Sequence, residues 1–120
     1  MRRVVTGHDA QGRAVFISDQ QAPRHIDNPA GGLSITELWG NEATPRIPVA
    51  HEDPTLKPHP YFPAPTGSRF VLVRWPSPAA AAAALAEGVD VQAAAAAFLA
   101  QLPGLGEVME PDHPGMHASQ

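Results

Sequence analysis

The chain has 120 residues and 12.7 kDa, a size that fits one small domain, and alanine supplies 21 of its apolar residues while the larger ones number only 31. Eight Lys and Arg stand against 12 Asp and Glu for a net charge of −4, so there is no global basic field for nucleic acid. With no cysteine, a disulfide framework, a thiolate metal site and a cysteine nucleophile are all excluded.

The N-terminal MRRVVTGHDAQG reaches Gly7 and His8 before any long apolar run, and no stretch of about 18 apolar residues follows. The expectation is a cytoplasmic protein with neither a secretory signal nor a membrane partner. Val4-Val5 and Ala14–Ile17 flank a turn-forming stretch with Asp9 and Gly12, which predicts a hairpin. Asp19 to Gly32 carries Pro23, Pro29 and Gly31-Gly32 and reads as a loop. Leu33–Trp39 alternates by twos in its first half and closes on Gly40-Asn41, which predicts a strand.

Residues 41–68 hold seven of the 14 prolines, too many for a central strand or a helix interior. An extended loop or linker is expected there. Arg69–Trp75 is the clearest strand, with Phe70, Leu72 and Arg74 on one face and Val71, Val73 and Trp75 on the other. Both faces are largely apolar, so it is expected to be central and covered. Ser77-Pro78 then opens an Ala-rich helix as N-cap and first helical residue, ending near Gly88. That helix either packs close to a sheet or faces solvent on propensity alone. Asp90 caps a second helix whose stripe is Val91, Ala94, Ala95, Phe98, Leu99 and Leu102, closed by Pro103-Gly104.

Chemistry-bearing groups are scattered. Histidines occur at 8, 25, 51, 59, 113 and 117, mostly in Pro- or turn-rich surroundings that suit exposed loop positions. His51-Glu52-Asp53 has the composition of a metal cluster, yet neighbours on extended chain point to opposite faces and one site uses at most two. His113 and His117 have helical spacing, but Pro114 and Gly115 lie between them. Glu110 and Asp112 form a carboxylate pair with nothing to make it converge. There is no G-x-S-x-G elbow, phosphate loop or dinucleotide fingerprint. Trp39 and Trp75 end strands, where large aromatics mostly supply buried area.

Taken together, RRVVTGHDAQGRAVFISD, ITELW at 35–39, GSRFVLVRWP at 67–76 and LPGLGEVMEPDHPGMHASQ at 102–120 resemble the N-terminal part of small single-domain cupin proteins. The resemblance implies a mainly β fold, a cupin-like jelly-roll β-barrel, complete or not, with an Ala-rich helical segment. Residues 1–120 would be one such domain or its N-terminal part. Its parts are a β-rich 1–76 with the Pro-rich loop 41–68, a helical 77–103, and a lead into the barrel motif at 104–120. Gly115-Met116-His117 resembles the entry to a degenerate first cupin motif, which makes His117 the implied metal ligand; where a second His would follow, Ser119 stands.

The implied functions are two. One is a metal-dependent enzyme of dioxygenase, isomerase, decarboxylase or cyclase type. It would use Fe, Mn, Ni or Zn on a small aromatic or polyketide-like acid, with Trp39 or Trp75 at the barrel mouth. The other is a metal-free barrel that binds a small-molecule ligand or serves regulation or assembly, or a segment without activity of its own. A homodimer that pairs exposed sheet edges is the expected protein partner.

Overall fold

The computed structural model describes residues 1–46 and 52–110. The hairpin forms as the sequence predicts, from β1 (Arg2–His8) and β2 (Ala14–Gln21). Asp9 makes the turn: its carboxylate accepts from the backbone N–H groups of Gln11 and Arg13, each at 2.9 Å. Gly12 takes φ +76°, which a side chain would strain. The strands pair antiparallel, with Val5 opposite Ser18 and Thr6 opposite Phe16, so Ile17 is an extra residue and the ladder bulges there.

The second sheet has three strands in the order β3 (Arg24–Asp27), β4 (Ser34–Asn41) and β5 (Ser68–Arg74). The expected loop over 19–32 is therefore shorter, because β2 runs on to Gln21 and β3 forms between Pro23 and Pro29. The central strand is β4, whose Ser34–Glu37 are all buried. Arg69–Trp75 was expected there, and instead its strand lies at the sheet edge with Phe70 and Leu72 exposed. The proline-rich segment contributes a short 3₁₀ turn at Pro54–Leu56, capped by Asp53.

Helix α1 (Pro78–Ala86) starts with Ser77 Oγ accepting from Ala80 N, and α2 (Val91–Leu99) with Asp90 accepting from Ala93 N at 2.9 Å. Gly88 at φ +74° ends α1. No residue of α1 is buried, so the solvent-facing alternative is the one it takes. On α2 the expected stripe holds at Ala94 and Phe98 and continues to Leu102, while Val91 is exposed.

The described residues form five strands in two small open sheets, not a closed jelly roll, which corrects the fold that the resemblance implied. Such a barrel takes about eight strands with its edges joined. Here the segments on either side of β4 are short or proline-rich, and among the described residues β1, β2, β3 and β5 each keep an open edge in their own sheet. The chain divides into two compact units. One holds the described residues of Met1–His25, Ile35–Pro58 and Pro63–Val73, and the other those of Ile26–Ser34, His59–Phe62 and Arg74–Gln120. In the first, buried positions are largely polar: Arg3, Thr36, Glu37 and Thr55 accompany Ala22 and Ile35. In the second, Ile26, Ala94, Phe98 and Leu102 form an apolar core. Among the described residues, no single helix is long and apolar enough to cross a membrane.

Candidate functional site

The first unit is held by two charge clusters that begin from β-strand alternation. Arg2 and Arg3 are adjacent on β1 and so point to opposite faces. Arg2 stays exposed and makes a two-pronged pair with Asp19 of β2, both contacts at 2.7 Å. Arg3 turns inward, its side chain 6% exposed, and meets Asp53. Its Nη1 also donates to the Leu38 carbonyl at 3.1 Å and to Thr55 Oγ1 at 3.2 Å. Asp53 Oδ1 accepts in turn from Thr55 Oγ1 at 2.7 Å and Thr55 N at 3.0 Å. Burial alone would push the Asp53 carboxyl up. The hydrogen bonds from Arg3 and Thr55 outweigh it and hold the group below the usual carboxylate range.

The second cluster sits on β4. Glu37, buried, receives Arg24 Nε at 3.1 Å and lies 3.9 Å from Arg69 Nε. Arg69 reaches across from β5, pairs with Glu42, and donates to the carbonyls of Asn41 and Ser68. Gly40 permits this crossing: a Cβ there would stand 2.8 Å from Arg69 Nη1. Both clusters cross-link distant segments, and every carboxylate in them already holds a cation.

The same kind of pairing occupies two of the candidate metal ligands. Asp53 is taken by Arg3, and Glu52 by Lys57, whose hydrogen bond holds the Glu52 carboxyl low. The two carboxylates of the His51-Glu52-Asp53 sequence are therefore engaged elsewhere, and His51 lies outside the described residues. So do His113 and His117, together with Asp112, and the metal role implied for His117 falls outside the geometry. Among the described residues, no group of three or more His, Asp or Glu is placed to hold a metal ion. His8 is exposed, and His25 lies with Nδ1 2.7 Å from Thr36 Oγ1. Trp39 is half-buried, whereas Trp75 is 72% exposed and supplies little core.

The other unusual feature is apolar surface. Along β5, alternate residues Ser68, Phe70, Leu72 and Arg74 are exposed while Arg69, Val71 and Val73 are partly covered. Phe70 is 64% exposed and Leu72 43%, and Arg74 ends the same face. Among the described residues Arg74 makes no ion pair. The sequence carries this alternation but not its exposure, which depends on what covers that face of the sheet in the fold. The hairpin presents a smaller patch, Phe16 at 76% and Val4 at 45%. No known protein family, curated protein or solved structure matches this chain.

Proposed function

We propose that the chain binds a small apolar acid, and that the exposed face of β5 receives it without a metal ion. The observation that carries this reading is the series Phe70, Leu72, Arg74 on one side of one strand. Two apolar side chains give a surface whose burial rewards a hydrocarbon or aryl group. The guanidinium that follows supplies a two-pronged donor for a carboxylate. All three belong to one strand, so their spacing is that of the strand itself, about 13 Å from Phe70 to Arg74. That span suits an extended acid, aryl-alkyl or polyketide-like, better than one the size of benzoate.

Thermal denaturation with 4-phenylbutyrate, 2-naphthoate and decanoate tests this. A ligand that binds only the folded chain raises its stability by about 2.7 kcal/mol at a hundred times its dissociation constant. Stabilisation is expected to survive a chelator, to vanish in Phe70→Ala, and to fall when the acid is replaced by its amide or Arg74 by Gln. If no acid in the panel stabilises the chain, the reading is wrong. If the effect disappears with chelator and in His117→Ala, a metal-dependent site replaces it.

A further inference from the structure

The two edges of the three-stranded sheet are not alike. Edge strands are templates for pairing with another chain, and proteins usually blunt them with short length, charge, proline or a bulge. One edge, β3, is four residues long, carries Arg24, His25 and Asp27, and is flanked by Pro23 and Pro29. The other, β5, runs for seven residues without proline, glycine or an acidic group. Its one internal charge, Arg69, does not guard the edge, because that side chain lies over Gly40 of β4 and binds Glu37 and Glu42. From Phe70 to Val73 the edge is uncharged and apolar.

The strand is also complementary to itself. In an antiparallel pair of two copies of Ser68–Arg74, opposite residues share a face, and full overlap centres the two-fold axis on Val71. Phe70 then faces Leu72 of the partner subunit, Ser68 faces Arg74, and Arg69 faces Val73. No like charges stand opposite one another, and the aromatic–aliphatic pair occurs twice.

We propose that β5 is a self-association edge, on which a second copy of this chain pairs antiparallel about Val71 and joins two three-stranded sheets into one. The pairing forms through the backbone of β5 and needs no ligand, so it is tested without any acid present, although Phe70 and Leu72 enter both readings.

Sedimentation equilibrium over a concentration series, without ligand, tests the proposal. The expected mass is twice the 12.7 kDa of one chain. Phe70→Lys combined with Leu72→Lys sets like charges opposite each other at both cross-strand positions, and is expected to weaken dimerisation by at least about tenfold. Phe70→Lys combined with Leu72→Glu sets opposite charges at the same positions and is expected to keep the dimer. Both positions are exposed, so neither pair buries a charge, and circular dichroism checks that each variant folds. A monomer at every concentration would overturn the proposal, as would a dimer indifferent to the two lysines. Equal loss of the dimer in both double variants would overturn it too.

Discussion

Gly67 and Gly40 both lack a side chain because something else fills its place, but the occupant differs. At Gly67 a Cβ would lie 2.5 Å from the Asn41 carbonyl oxygen and 2.9 Å from Pro63 Cβ, and neither is the end of a flexible side chain. At Gly40 the nearest atom is the tip of the Arg69 side chain, which yields more readily than backbone, though only by loosening its pairs with Glu37 and Glu42. Gly67→Ala is therefore expected to destabilise the chain by about 1–3 kcal/mol, as overpacking does, and Gly40→Ala by less. Urea denaturation of the two variants checks the order, and an equal cost would mean that the Arg69 crossing is as rigid as the backbone. The buried Arg3 shows the same contrast with its neighbour. Arg3→Ala leaves Asp53 without its guanidinium and strips the Leu38 carbonyl of a donor, whereas Arg2→Ala breaks an exposed pair worth little. The first is expected to lower the urea midpoint clearly and the second barely.

At the scale of elements, what could be read in advance was whatever is decided within a few residues. The Asp9–Gly12 turn and the Ser77 and Asp90 caps are local chemistry, and all three form as their sequences imply. The strand β3 was missed because four residues between two prolines carry too little alternation to register. The strand β5 was recognised but misplaced. Apolar residues on both faces argue for a covered strand, yet which strand is central depends on sheet order, and a period of two does not encode order. The charge clusters were illegible for the same reason, since Arg3 and Asp53 are 50 residues apart. His117 and its neighbours lie outside the described residues, so that part of the sequence reading stays an expectation. The two caps separate by what their helices bury. Asp90 starts α2, which carries Ala94 and Phe98 into a core, whereas Ser77 starts α1, which buries nothing. Asp90→Ala is expected to cost about 1 kcal/mol of global stability. Ser77→Ala is expected to fray α1 with a smaller global effect, visible as faster amide exchange confined to its first turn.

For the whole molecule, the charge clusters set how the fold responds to acid. Asp9 is held low by the backbone N–H of Arg13, Asp19 by the Arg2 guanidinium, and Glu52 by the Lys57 ammonium. In Asp53 burial works the other way, but the bonds from Arg3 and Thr55 prevail and lower it as well. A carboxyl whose folded value lies below its unfolded one adds stability that is fully present above the unfolded value, about 4. It is lost as pH falls through the folded value. The urea midpoint is therefore expected to be level with respect to these four groups from pH 7 to about 5, then to drop as pH falls below the unfolded value of about 4. Salt separates their contributions. The Asp19 and Glu52 pairs are exposed and screened, so 1 M NaCl should remove their share. The Arg3–Asp53 pair, with side chains 6% and 15% exposed, is shielded from that screening. Asp53→Asn is then expected to lower the midpoint at neutral pH and to flatten the part of the acid drop that persists in high salt. An acid drop in high salt unchanged by Asp53→Asn would mean that its pairing with Arg3 does not govern the loss of the fold.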